Sequence, residues 1–234
     1  MQVDYSSLDL DDPLLEATCE IYAIDDYYKA LEDQIAHTQQ IQKSQLDNYL
    51  TQQKLTPDDI EWHEATNNYD QLIDHLIPRF FRGPFLISLY ALYESIVSEI
   101  ATAIRTMNPR LKSFSSFKKK KRKKGQSYIE IARDYYAEVL GTVLCPDISM
   151  WEQLIILSKL RNAVAHANGR IEALSPQSKE EIVKIVRDLP DVAAYAGYIT
   201  FGKDFVAHTT GLVLSELRRL IEANRELCRS RKNV

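Results

Sequence analysis

Apolar residues recur at helical spacing along most of this chain. Phe85, Leu86, Leu89, Leu92, Tyr93, Ile96, Ile100 and Ile104 leave one narrow polar stripe, through Ser88, Ser95, Ser98, Glu99 and Thr102. This pattern predicts a central core helix that opens at a Gly83-Pro84 break and stops at Asn108-Pro109. Upstream, Asp11-Asp12-Pro13 has the acidic charge and the proline of a helix start. The helix that follows, to about Gln53, carries Leu31, Ile35, Ile41, Leu46 and Leu50 thinly spread among glutamines. Such spacing suits an arm or coiled segment, and equally an exposed helix with no specific partner. Thr56-Pro57-Asp58-Asp59 offers a second start, with Thr56 as cap and Pro57 in the first turn of a helix ending near Pro78.

Beyond the central helix, residues 108–126 read as a polar, basic loop, and residues 127–140 as an amphipathic helix. A further helix covers about 149–167, and Ser175-Pro176 starts a short one. Residues 192–201, with Gly197 inside, suit a small hairpin, and about 204–229 a closing helix. The expected fold class is therefore all-α: a helical bundle with at most a small β-hairpin near the C-terminus. Residues 1–78 form an N-terminal helical extension in this reading, and 79–234 the main helical domain.

An apolar content of 45% in 234 residues supports a sizeable core and excludes global disorder. Cys19, Cys145 and Cys228 lie far apart, with no CxxC pair and no secretory leader ahead of them. A disulfide framework is thus not expected, and a reducing, cytoplasmic setting is. Serines and glutamates interrupt the apolar run at 85–104, so no membrane span is expected there. The net charge of −4 conceals one basic cluster, Lys118, Lys119, Lys120, Lys121, Arg122, Lys123 and Lys124. Without these seven residues the chain has 22 basic against 33 acidic residues, a balance of −11. An acidic body repels nucleic acid, whereas a concentrated basic run attracts phosphates locally. The run therefore reads as an RNA guide, a solvated lysine loop or a nuclear address.

The helix at 149–167 ends in LSKLRNAVAHANGR, residues 157–170. At 100° per residue, Ile156, Leu157, Leu160, Ala163, Val164 and Ala167 gather on one side. Trp151, Leu154, Ile155, Ser158, Arg161, Asn162 and His166 occupy the other half. Two such surfaces suit a helix buried on one side in its own bundle and on the other against a second subunit. The Arg161 guanidinium can grip phosphate oxygens in bidentate fashion, and the His166 imidazole can take up or release a proton. Together they could handle the charge and the proton of RNA cleavage. A histidine near a helix C-terminus also serves as a cap or dipole partner, and the residues alone leave both roles open.

RNAVAH resembles the signature of HEPN domains, an arginine followed after four to six residues by a histidine, with a polar residue, here Asn162, directly after the arginine. The W-x-x-L-x-x-L-x-x-L-R-N-x-x-x-H-x-N-G context and the upstream FRGPFLISLYALYESIVSEI are similar to prokaryotic HEPN proteins, over roughly residues 79–229. The resemblance implies a helical bundle of HEPN type that homodimerises, and a metal-independent endoribonuclease of toxin–antitoxin or antiphage-defence systems. It implies that Arg161 binds the scissile phosphate, that His166 transfers protons during 2′-hydroxyl attack, and that Asn162 orients the site, with one set from each subunit. Glu94 on the central helix would support Arg161, or form a structural salt bridge. An antitoxin or another defence protein is the implied further partner. The alternatives are a catalytically silent HEPN dimerisation or docking module, and an adaptor working through the glutamine-rich N-terminal helix.

Other chemistry finds less footing. His37, His63, His75 and His208 form no H-E-x-x-H pattern, Glu64, Asp70 and Asp74 suit an exposed helix face, and Ser88, Ser95 and Ser98 lack a nucleophile elbow. Neither a metal nor a cofactor is expected.

Overall fold

The computed structural model describes the backbone of residues 14–121 and 126–230, and side chains up to Arg225. The fold is all-α with one small antiparallel hairpin. In order, the elements are α1 (Leu15–Gln53), α2 (Ile60–Gln71), α3 (Ile77–Met107), α4 (Phe114–Lys121), α5 (Tyr128–Tyr135), α6 (Ile148–Ala167), α7 (Pro176–Asp188), β1 (Val192–Tyr195), β2 (Tyr198–Phe201) and α8 (Lys203–Ser230). They divide into two compact units, the first made of the described residues within 14–26, 88–158 and 208–230, the second of 27–87 and 159–207. Helices α1, α3, α6 and α8 contribute residues to both. Residue 78 lies inside a continuous helical run rather than at a unit boundary.

In the first unit, α3 buries Leu89, Tyr90, Tyr93, Ile96, Val97, Ile100 and Ile104, close to the stripe that the sequence predicts; Leu92 is only half-buried. Helix α5 is fixed by a capping box: the Ser127 hydroxyl accepts from the Glu130 amide while the Glu130 carboxylate accepts from the Ser127 amide. It continues through a π-turn, Tyr136–Leu140, and stops at Gly141, whose φ of 69° is left-handed. The buried Glu216 on α8 accepts from the Cys145 amide at 2.9 Å and from Arg219 Nε and Nη2, both at 2.7 Å.

The second unit is built from the rest of α1, α2, the first part of α3, the end of α6, α7 and the hairpin. Phe85 packs against the rings of both Tyr27 and Tyr28, with centroids 5.7 and 5.4 Å away. Arg82 forks onto both oxygens of Glu32 at 2.9 Å and donates to the Phe201 carbonyl at 3.0 Å, tying α3 to α1 and to β2. In α1, Leu31 and Ile35 are buried, so this portion is core rather than arm; beyond them Ile41 is 43% exposed.

Several sequence expectations are corrected. The second helical start falls at Asp59, not Thr56, because Asp59 Oδ2 accepts from both the amide and the hydroxyl of Thr56 and closes a turn ahead of the helix. Neither Pro78 nor Gly83-Pro84 breaks the chain, and α2 runs into α3 through a π-turn, Leu72–Leu76. The Ile77 amide still bonds back to the Leu72 carbonyl, so Pro78 follows a turn that is already widened. Gly83 answers a packing need instead of a break, since a Cβ there would stand 3.3 Å from Val164 Cγ1 on α6. Part of the expected basic loop is helix α4, anchored by the buried ring of Phe117. The start expected at Asp11-Asp12-Pro13 lies outside the described residues.

The helical run Ile60–Met107 is long and apolar enough to cross a membrane by length and composition, and half of its most apolar window is buried in the fold (50%).

Candidate functional site

Helix α6 begins in the first unit and ends in the second, where it carries Arg161, Asn162 and His166. Its buried stripe runs through Met150, Leu154, Leu157, Ser158, Leu160 and Ala163. This differs from the sequence reading at several positions. Leu154 and Ser158, assigned to the outward half, are 1% and 5% exposed, and the Ser158 hydroxyl accepts from the Tyr90 hydroxyl at 3.0 Å. A serine can join a core stripe when its hydroxyl has a buried partner, which a purely apolar count misses. Ile156 is correspondingly only half-buried.

The last two turns of α6 present the motif. Arg161 is half-buried at the edge of the core stripe, and its Nη1 donates to Asn162 Oδ1 at 2.9 Å. Asn162 and His166 are exposed and share one face at i, i+4 spacing. The His166 imidazole makes no hydrogen bond among the described residues. The helix stops where Asn168 and Gly169 both turn left-handed, at φ 49° and 72°, and the Gly169 amide closes back on the Ala163 carbonyl at 3.1 Å. Chemically, these turns offer a fixed cation beside an amide and an accessible imidazole.

The hairpin is stitched to this helix end. The Gly169 carbonyl accepts from the Ile199 amide at 2.9 Å, the Ile171 amide donates to the Gly197 carbonyl at 2.9 Å, and Arg170 bridges to Tyr198. Ala196 and Gly197 form the tip with φ of 48° and 81°, the left-handed pair that a two-residue hairpin turn demands. Tyr195 and Tyr198 are therefore a cross-strand pair on one face. His75, in the π-turn, stacks on Tyr195 with a centroid distance of 3.6 Å and an interplanar angle of 13°. Arg79 lies over Tyr198 at 3.9 Å and beside Phe80 at 4.9 Å. The sequence reading took none of Arg79, Phe80, Arg170, Tyr195 and Tyr198 as site residues, and weighed His75 only as a metal ligand. The legible signals were the i, i+4 spacing of His75 and Arg79 and the Tyr-Ala-Gly-Tyr turn.

Glu94 belongs to the first unit, where its backbone carbonyl accepts from the Tyr128 hydroxyl at 3.1 Å. In the basic run, Lys118 sits 5.1 Å from the centre of the Tyr128 ring and Lys121 pairs with Glu138 at 2.6 Å, while Lys119 and Lys120 are exposed. Arg122, Lys123 and Lys124 lie outside the described residues. Cys145 offers no nucleophile: burial, and secondarily Glu216, push its thiol up to about 12, far from the thiolate that reactivity needs. Among the described residues no three His, Cys, Asp or Glu side chains converge as metal ligands would. Compared with protein-family models, with curated proteins and with solved structures, the chain finds no match.

Proposed function

We propose that this chain is a HEPN-type endoribonuclease that works in the cytoplasm as a homodimer, as a toxin or antiphage-defence effector. The observation that carries the reading is the presentation of Arg161, Asn162 and His166 together on the last two turns of α6, with two of them open to solvent and the arginine bonded to the asparagine. In this reading Arg161 holds a non-bridging oxygen of the scissile phosphate and neutralises charge as it builds up. His166 accepts the proton of the RNA 2′-hydroxyl as that oxygen attacks phosphorus. The O2′–P bond forms while the bond to the 5′-oxygen breaks, and the departing oxygen is protonated by the imidazolium, of this chain or of a second copy. Asn162 keeps the guanidinium in place. The residues supply charge and proton transfer themselves, so the scheme uses no metal ion or cofactor. An antitoxin or another defence protein would control such an activity.

A second reading, a catalytically silent HEPN dimerisation or docking module, draws on one observation: no group among the described residues hydrogen-bonds to His166 and orients its imidazole. Incubating the purified chain with mixed single-stranded RNA separates the two. Cleavage with 2′,3′-cyclic phosphate ends, lost by at least about a hundredfold in His166→Ala with the dimer intact, is the expected result. Undiminished cleavage in that variant would discard the mechanism, and no cleavage by the wild-type dimer would leave the silent module.

A further inference from the structure

We propose that the aromatic–basic platform at the hairpin, His75, Arg79, Phe80, Arg170, Tyr195 and Tyr198, is the docking surface that holds single-stranded RNA beside the end of α6. The identity of the polymer rests on the ribonuclease reading; the platform rests on its own geometry. Two residues four apart along one helical run each cover one ring of a cross-strand tyrosine pair, His75 on Tyr195 and Arg79 on Tyr198. The result is a double stack, with Phe80, 58% exposed, at its edge.

Charge says what this surface takes. Neither Arg79 nor Arg170 has an ion-pair partner among the described residues. Glu172, two residues after Arg170, is paired with Lys179 at 2.7 Å. Arg79 and Arg170 thus both border Tyr198, Arg79 over its ring and Arg170 opposite it in the backbone bridge, in a chain whose net charge is −4. A guanidinium over a ring still has N–H donors for phosphate oxygens, and the exposed ring of Phe80 can take an unstacked base. Bases in a duplex are already stacked and A-form grooves hide their faces, so the same chemistry selects a single strand. Position ties the platform to the motif: Arg170 follows the two left-handed residues that end α6, and the pairing of Gly169 with Ile199 fixes the hairpin to that end. A strand lying on Tyr198 and Arg170 therefore passes the helix end that carries His166.

The test is anisotropy titration of the full chain with a fluorescent 2′-O-methyl oligonucleotide of mixed sequence, which cannot be cut by 2′-hydroxyl attack. Cleavage of the matching unmodified RNA is measured alongside. Wild type should bind the single strand at least tenfold more tightly than the duplex of the same sequence. Arg79→Gln/Arg170→Gln should weaken single-strand binding at least tenfold, with an unchanged helical circular-dichroism spectrum. It should also lower the slope of log affinity against log salt by about 1.4, the share of two phosphate contacts on a single strand. Phe80→Ala, at an exposed position, should weaken binding at least threefold and keeps the test informative if the double variant misfolds. Wild-type affinity in both variants overturns the platform while leaving the ribonuclease reading in place. Binding that falls as stated in a chain that never cuts RNA supports the platform and overturns the ribonuclease. Equal affinity for single strand and duplex, or no RNA binding by wild type, overturns the platform.

Discussion

Tyr93 and Tyr136 are both fully buried, and burial pushes both phenols well above their ordinary pKa. The Tyr136 hydroxyl donates to the Val97 carbonyl at 2.7 Å, whereas the Tyr93 hydroxyl has no hydrogen-bond partner among the described residues. Deleting the two oxygens should therefore act in opposite directions. Tyr136→Phe loses a made hydrogen bond and should cost about 1 kcal/mol, while Tyr93→Phe removes an unanswered polar atom and should gain roughly 0.5–1 kcal/mol. Urea unfolding with a common slope would read both shifts; a loss in Tyr93→Phe would mean that its hydroxyl is hydrogen-bonded after all. The same accounting of partners explains Ser158. Counted by polarity it belongs outside, but its hydroxyl meets that of Tyr90, and the buried stripe of α6 runs through it.

At the scale of elements, the polar stripe of α3 meets the first turns of α1. Glu16 and Glu20 from α1 line a groove of about 640 Å³ with Ser95, Ser98, Glu99, Thr102, Ala103 and Thr106 of α3. Desolvation, and after it the charges of Glu16 and Glu20, raise the Glu99 pKa above its ordinary value. A carboxyl whose folded pKa is raised binds its proton more tightly in the folded state. Its contribution is therefore fully present below the ordinary glutamate pKa and is lost as pH rises through the raised value. Glu99→Gln should accordingly raise stability at neutral pH and flatten the loss of melting temperature as pH rises above the ordinary glutamate range. An unchanged pH profile in that variant would show that the three carboxylates are screened from one another. Such a groove is legible in sequence only as the stripe of α3, because its other wall comes from a helix more than seventy residues away. The elements whose signals are local were legible: the capping box of α5, the Ser175 cap of α7 and the hairpin with Gly197 at its tip. Those misread depend on packing partners. Gly83-Pro84 has the composition of a break, yet it lies within α3 because Gly83 admits Val164 and a π-turn precedes Pro78. The basic run reads as loop until the burial of Phe117 gives α4 an inner face. At the site, the spacing of Arg161, Asn162 and His166 was legible, and the platform was not, since stacking His75 and Arg79 on a hairpin more than a hundred residues away is a tertiary fact.

For the whole molecule, the proposed mechanism is a property of a pair of chains. An exposed His166 with no hydrogen-bond partner among the described residues lacks the orienting contact that a general base usually has within its own subunit. A second copy related by twofold symmetry would bring its own Arg161 and His166 to the same place if the axis passes beside this end of α6. If both sets are needed for one cut, activity counts dimers rather than chains. Equal amounts of wild-type and His166→Ala chain, unfolded and refolded together so that subunits mix at random, should then retain about a quarter of the wild-type rate, and about a half if each subunit cuts alone. Dilution adds an independent reading, since a composite site loses specific activity over the same concentration range in which the dimer dissociates. Activity that follows the wild-type fraction linearly and survives dissociation would place the whole mechanism within one chain. His166 would then have to be oriented by the bound RNA itself, and the hairpin platform, which fixes the strand at that helix end, would be what aligns the 2′-hydroxyl with the imidazole.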